Sequence, residues 1–184
     1  ALQAVDEGVR YKRLVKGVAN KHGLQACFMA KPFGDLAGSG MHMHVSLADA
    51  EGNNLMASED PHGTPLLRHA IGGLQQTMAA SMAFLCPNVN SYRRFGAQFY
   101  VPNAPCWGMD NRTVALRVPT DSPDAVRIEH RVAGADANPY LVLAASLLGD
   151  PGLALDFAIF SLAASGYASD KGTTLTAPRP QDPA

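Results

Sequence analysis

Two short stretches of this 184-residue chain place reactive side chains at alternate positions. In Met41-His42-Met43-His44-Val45-Ser46-Leu47 the polar residues His42, His44 and Ser46 alternate with Met41, Met43, Val45 and Leu47. A period of two predicts a strand with one face in the core and the other on a cavity. A neutral imidazole nitrogen can ligate a divalent metal, and a hydroxyl can contact phosphate or a hydrated ion. The same pattern also describes a half-exposed edge strand with two ordinary histidines. In Arg127-Ile128-Glu129-His130-Arg131, the residues Arg127, Glu129 and Arg131 share one face. They form either a surface salt ladder, worth under about 1 kcal/mol for an exposed pair, or a metal-binding carboxylate flanked by arginines. Arginine's planar fork suits it to gripping phosphate or carboxylate.

The distribution of arginine favours the second alternative. Arg93, Arg94, Arg112, Arg117, Arg127 and Arg131 make up six of the fifteen basic residues and lie in surroundings otherwise apolar or neutral. With two histidines and a glutamate they describe a site for a polyanion and a divalent metal, and a nucleoside triphosphate with Mg²⁺ fits best. No GxxxxGK[ST] element is present, which excludes P-loop chemistry, and Gly38-Ser39-Gly40 does not complete a dinucleotide fingerprint. Arg112 and Arg117 are five apart, so a regular strand would place them on opposite faces. Either Arg112 lies in the loop before the strand, or a bulge re-aims one of them.

The elements that must position these residues are readable in outline. Leu2, Val5, Val9, Val15, Val18 and Ala19 follow helical spacing and stop at His22-Gly23. A short apolar segment at 25–29 and a glycine-rich loop at 34–40 lead into the histidine strand, and Gly52-Asn53-Asn54 marks a turn. A second helix is expected from 65 to 85, with Leu67, Ile71, Leu74, Met78, Met82 and Leu85 on one stripe. The stretch 87–105 reads as a long loop, a length that is usually functional. Strands follow at 113–118 and 126–132, with a turn over 120–124. Asn138-Pro139 opens a helix, as N-cap and first helical residue, and Gly149 and Pro151 close it. Residues 152–167 are apolar without clean periodicity, and 171–184 form a polar tail expected to be mobile. The fold class is α+β: an antiparallel sheet lined with charged residues on one face, with helices packed on the other.

Composition narrows the classes of function. With 47% hydrophobic and 17% charged residues the chain is expected to have a globular core. A net charge of -1 argues against nucleic acid or an anionic membrane as a bulk partner. No apolar run is long enough to span a bilayer, and Asp6, Glu7, Arg10 and Lys12 stand where a signal peptide would be apolar. Cys27, Cys86 and Cys106 are odd in number and lack CxxC spacing, so free thiols in a reducing cytoplasm are expected. Ala1 falls inside a helix already under way, so a piece of a longer protein is expected.

These residues resemble the catalytic domain of the glutamine synthetase family. The resemblance is carried by Lys31-Pro32 through Gly38-Ser39-Gly40-Met41-His42-Met43-His44-Val45-Ser46; by Asn90-Ser91-Tyr92-Arg93-Arg94; by Asn111-Arg112 and Arg117; and by Arg127-Ile128-Glu129-His130-Arg131 through Asn138-Pro139-Tyr140. These four blocks stand in order over roughly residues 1–148, which are expected to be part of the catalytic domain; 149–184 are a divergent C-terminal segment. The resemblance implies the fold shared by glutamine synthetases and guanidino kinases, here incomplete. It implies His42 and Glu129 as ligands of Mg²⁺ or Mn²⁺, and His44 and Ser46 in contact with ATP. It implies Arg112 on the γ-phosphoryl group in flight, Arg117 and Arg127 on the phosphate chain, and Arg94, Arg131 and Gly38 at glutamate. Further metal carboxylates and a small amino-terminal β domain would lie upstream of Ala1, and a ring-type homo-oligomer such as a dodecamer is implied for the whole protein.

The departures from the family pattern concern the amine. Where glutamine synthetases proper carry a glutamate that closes over the site and deprotonates ammonium, the aligned residue is Tyr100. Ala37 replaces an asparagine, and Asp124 stands near where a lysine borders adenine. The Arg127 block and the Tyr100 loop resemble the γ-glutamylpolyamine synthetase branch, which implies an organic amine as acceptor in place of ammonia. Phe99, Tyr100 and Trp107 would supply its apolar and cation-π surface. Three other readings remain: a glutamine synthetase proper that uses ammonia; a non-catalytic member of the same fold, disfavoured because His42, Glu129 and Arg112 are present; and a guanidino phosphotransferase, for which no reactive cysteine loop is offered.

Overall fold

The computed structural model describes residues 1–60, 63–96 and 100–148, together with the backbone of 158–161 and 175–176. The first helix, α1 (Leu2–Lys21), ends where Gly23 takes φ 69 and the Leu24 N–H returns to the Ala19 carbonyl at 2.9 Å, a left-handed stop that glycine makes without steric cost. Its apolar stripe is only partly covered. Val5 and Ala19 are buried, while Leu2, Val9 and Val18 are exposed. Strand β1 (Gln25–Ala26) follows, then the glycine loop and β2 (Met43–Leu47).

Helix α2 (Pro65–Leu85) has the bounds its sequence predicts. The Thr64 hydroxyl accepts the Leu67 N–H at 3.1 Å and Pro65 occupies the first turn, where its missing N–H costs nothing. The stretch expected to be one long loop contains a one-turn helix, α3 (Val89–Tyr92), closed by reciprocal capping between Asn88 and Ser91. Strand β3 (Trp107–Met109) was not expected from the sequence. Strands β4 (Leu116–Val118) and β5 (Ile128–His130) are shorter than expected, and the turn between them tightens into a 3-10 turn at Pro123–Ala125. Helix α4 (Pro139–Leu148) begins where Asn138 Oδ1 accepts the Tyr140 N–H at 3.0 Å. The backbone of β6 (Ala158–Ser161) and β7 (Leu175–Thr176) completes the described elements. The closing residues Gly149 and Pro151, and the rest of the 149–184 segment with its expected mobile tail, lie outside the described residues.

The main sheet runs β3-β4-β5-β2-β6, and β1 pairs with β7 in a separate two-stranded sheet. An antiparallel sheet was expected, but β3 and β4 are parallel. After β3 the loop 110–115 carries the chain back to start β4 beside β3 in the same direction. The remaining pairs are antiparallel.

Register decides what the sheet presents. Met43 pairs with His130 and His44 with Glu129; on the other side of β5, Leu116 pairs with His130 and Arg117 with Glu129. Directly opposed residues share a face. His44, Glu129 and Arg117 therefore form one row across three strands, and Met43, His130 and Leu116 form a row on the reverse. The reverse face is the core. Met43, Val45, Leu47, Leu116, Val118 and Ile128 cluster with Leu67, Ile71, Leu74 and Met78 of α2 and Val142 and Leu143 of α4. No helix among the described residues is long and apolar enough to cross a membrane.

Candidate active site on the charged row

Glu129 is the centre of the charged row. It is 4% exposed, and a carboxylate so placed must be compensated. Arg131 Nη1 donates to Oε1 at 2.7 Å and Arg117 Nη1 to Oε2 at 3.0 Å. His42 Nδ1 lies 2.8 Å from Oε1 and His44 Nε2 3.9 Å from it. Burial alone would raise the Glu129 carboxyl. The hydrogen bond from His42, the charges of Arg131 and His42, and the hydrogen bond from Arg117 outweigh burial and hold it well below the usual carboxylate range.

His44 is neutral. Burial pushes its imidazole down to about 4, against the pull of Glu129, with Arg127, His42 and Arg117 adding to the descent. Arg127 Nε donates to His44 Nδ1 at 2.8 Å while its Nη1 is fixed on the Ala125 carbonyl. Because Nδ1 must accept, the ring proton stands on Nε2, directed toward the row. His130, on the reverse face, is likewise pushed down to about 4 by burial, with His42 adding; it is a neutral core histidine, which the sequence did not distinguish from its neighbours.

The glycine loop and Arg94 form the adjoining wall. Arg94 is 3% exposed, and its Nη1 donates to the Val132 carbonyl at 2.9 Å. A Cβ on Gly38 would come within 2.7 Å of the Ala30 carbonyl and 2.8 Å of Arg94 Cγ, and one on Gly40 within 2.7 Å of Arg94 Nη2. Glycine lets the backbone lie on the methylenes of Arg94 at position 38 and on its guanidinium at position 40. Among the described residues Arg94 makes no ion pair with a carboxylate, and the charge of Asp136 acts on it only from beyond ion-pair distance.

The predicted residues do not all converge. His42, His44, Glu129, Arg117, Arg127 and Arg131 form one connected set, with Arg94, Gly38 and Gly40 against it. Ser46 shares the His44 face and is half-buried. Arg112 stands apart, exposed in the 110–115 loop and without a hydrogen bond or ion pair among the described residues. The loop position removes the facing conflict between Arg112 and Arg117. Of the aromatic trio, Tyr100 is 74% exposed and Trp107 37%, while Phe99 lies outside the described residues.

A divalent cation is implied by the resemblance, and the donor set fits it in part. With Nδ1 on Glu129, His42 keeps Nε2 available, an arrangement in which a carboxylate orients a ligating imidazole. Glu129 has about four acceptor sites and already serves three cationic or donor groups. Among the described residues no cluster of three or more His, Cys, Asp or Glu side chains stands ready to hold a metal. His42 and Glu129 thus fit as two ligands of a larger set.

Three supporting residues were missed from the sequence. Asp136 Oδ2 accepts from Asn88 Nδ2 at 2.9 Å and Ser91 Oγ at 2.7 Å, anchoring α3. Asn90 mimics a strand partner, its side chain exchanging two 2.8 Å hydrogen bonds with the Lys31 backbone. Lys12 reaches from α1 to the Ala135 carbonyl at 2.6 Å. Partners 45 to 123 positions away in the chain leave no local signal for any of them.

The glutamine synthetase catalytic domain model matches residues 1–153. The chain is 50% identical over 148 residues to gamma-glutamylputrescine synthetase PuuA of Escherichia coli (strain K12), covering 80% of this chain and 31% of that protein. It is 40% identical over 150 residues to glutamate--isopropylamine ligase of a Pseudomonas species (80% and 33%), and 40% identical over 148 residues to glutamine synthetase of Pyrococcus abyssi (80% and 33%). It spans about a third of the length of these relatives.

Proposed function

The chain belongs to the glutamine synthetase family, and from that premise we propose that the protein it forms is an ATP-dependent glutamate–amine ligase. The γ-carboxylate oxygen of glutamate attacks the γ-phosphorus of ATP, giving γ-glutamyl phosphate and ADP. An amine then attacks the acyl carbon, loses a proton, and expels phosphate. The observation that carries this reading is Arg94, a buried guanidinium in no ion pair with a carboxylate among the described residues, lying beside the Glu129 cluster. A fixed, buried cation with no carboxylate in direct contact is suited to an anionic substrate.

Arg94, Arg131 and Gly38 hold glutamate in this reading, and Arg117 and Arg127 hold the phosphate chain. His44 offers the Nε2 proton and Ser46 a hydroxyl to the nucleotide. Arg112 is free to move onto the transferred phosphoryl group. His42 and Glu129 would hold Mg²⁺ or Mn²⁺, which when bound neutralises charge on the phosphate oxygens. The chain's own residues supply positioning and exclude water from the acyl phosphate. The proposed setting is a cytoplasmic, ring-forming homo-oligomer of the whole protein.

For the acceptor we favour an organic amine of the polyamine type over ammonium. Tyr100 brings no carboxylate to concentrate a small cation, whereas Tyr100 and Trp107 offer exposed ring surface to a methylene chain. Two relatives named for amine ligation, with putrescine and isopropylamine, agree with this. Product analysis by mass spectrometry, on the whole protein with ATP, glutamate and a panel of amines, tests both steps. Absence of glutamate-dependent ADP release with every amine and with ammonium would remove the ligase reading. Preference for ammonium over putrescine at equal concentration, unchanged by Tyr100→Ala, would remove only the polyamine acceptor.

A further inference from the structure

Asp110 directly follows β3 with φ 45 and is the one non-glycine residue at positive φ among the described residues. Such a conformation is uncommon for a residue with a Cβ and persists where surrounding contacts over-determine it. The contacts are plain. Its N–H donates to the Val118 carbonyl at 3.0 Å. Its carboxylate accepts Arg117 Nη2 at 3.0 Å, the Thr120 N–H at 3.3 Å, and the Thr120 hydroxyl. The first residue of the loop that carries Arg112 is thereby tied to the C-terminal end of β4, while the other end of the loop is held by the Cys106 carbonyl, which accepts the Ala115 N–H at 3.0 Å. Within the loop, Asn111 Oδ1 accepts from the Thr113 N–H at 2.9 Å and the Thr113 hydroxyl at 2.7 Å. Arg112 therefore sits within a closed turn that follows a pinned first residue.

We propose that Asp110 is a positioning residue for phosphoryl transfer: it ties the start of the Arg112 loop to Arg117, so that a loop arginine and a sheet arginine reach one phosphoryl group from a fixed spacing. The proposal rests on the ligase reading above. Arg117 is a suitable anchor because its other nitrogen, Nη1, is held by the buried Glu129 and does not depend on Asp110. Arg112 has no such second hold. Loss of the pin is therefore felt at Arg112 first.

The test uses the whole protein with Asp110→Ala and Asp110→Asn. We expect Asp110→Ala to lower kcat about 10- to 100-fold, the scale of a small misplacement of a catalytic group, with the ATP KM within about threefold because Arg117 keeps Glu129. Asp110→Asn retains a carbonyl oxygen for Arg117 and Thr120 and recovers most of the loss. In an Arg112→Ala background, Asp110→Ala costs less than about threefold more, since the two substitutions remove one function. Full additivity in the double variant, or kcat, KM and Tm falling together, would overturn the proposal. Hydrogen exchange on the same variants reads the pin without activity: 111–115 exchange faster in Asp110→Ala while α2 is unchanged, and unaltered exchange there also overturns it. Wild-type protein lacking glutamate-dependent ADP release would sink the ligase reading, whereas the exchange result would still judge the pin.

Discussion

Arg131 and Arg112 use the same side chain on opposite terms. Arg131 is 4% exposed and clamped to Glu129, the carboxylate at the centre of the charged row. Arg112 is exposed in a loop, without a partner among the described residues, two positions from Asp110, which pins the start of that loop. A clamped guanidinium contributes the same field before and during reaction, so it serves binding and the fold. A free one can close on charge as that charge develops, and only interactions stronger in the transition state raise turnover. The two regions should therefore fail differently when cut.

The largest effect is expected from the free arginine. In the whole protein, Arg112→Ala should lower turnover by about 10³–10⁵, as for other phosphate-stabilising arginines. Its unfolding free energy should change by no more than about 0.5 kcal/mol, as at other exposed positions. Steady-state ADP release and equilibrium ATP binding, measured side by side, check this. Binding lost in proportion to turnover would make Arg112 a ground-state anchor and erase the contrast.

The clamped region should respond in stability. Glu129→Ala leaves Arg131 buried without its counter-ion and Arg117, which is part-exposed, with Asp110 alone, and breaking a buried pair in this way costs about 3–5 kcal/mol. Urea unfolding of the isolated chain measures it directly. A loss under about 1 kcal/mol would mean that solvent already compensates these cations, and the row would then be a surface ladder after all.

How much of this was legible beforehand follows the same division. The bounds of α2 could be read because Thr64, Pro65 and the apolar stripe are all local signals. The shared face of Arg127, Glu129 and Arg131 and the alternation of the histidine strand were legible for the same reason. Strand order and register were not, since Arg117 meets Glu129 through pairing between separate strands. Strand β3 was hidden because Gly108 and the Asp-Asn pair after it read as loop. The one-turn helix α3 was hidden because its capping residue at the third position is Ser91, where Glu or Gln is the usual signal. Residue roles are further removed still: which groups meet is geometry, but what they bind stays a proposal.

Packing around Arg94 gives a smaller effect. Gly38→Ala drives a methyl group into the Ala30 carbonyl and Arg94 Cγ, and overpacking of this kind costs about 1–3 kcal/mol. Gly17 in α1 has nothing within 4 Å of an added Cβ, so Gly17→Ala should instead stabilise by about 0.5–1 kcal/mol through helix propensity. Paired denaturation curves decide it. Equal behaviour of the two variants would show that Arg94 is not wedged against the glycine loop.

The smallest effect uses two cysteines that report on the two regions. Cys106 is exposed at the base of the Arg112 loop, where its carbonyl accepts the Ala115 and Leu116 N–H groups. Cys86 is 1% exposed beside Arg94, with Sγ 3.7 Å from the Val132 carbonyl. Burial pushes the Cys86 thiol up to about 11, while Arg94 pulls against it. A disulfide-exchange reagent at neutral pH should therefore modify Cys106 in the folded protein and reach Cys86 only on unfolding. The same shift has a thermodynamic sign. Below about pH 8.5, the unfolded thiol value, both states hold the proton and the contribution of Cys86 is fully present. As pH rises from there toward about 11 the unfolded chain ionises and the folded chain does not, so this contribution is progressively lost. The stability difference between wild type and Cys86→Ala, measured across that window, cancels every other titration and should shift steadily against wild type. Parallel curves would mean that Cys86 ionises in place under the field of Arg94, and that the wall around that guanidinium is wetter than its burial implies.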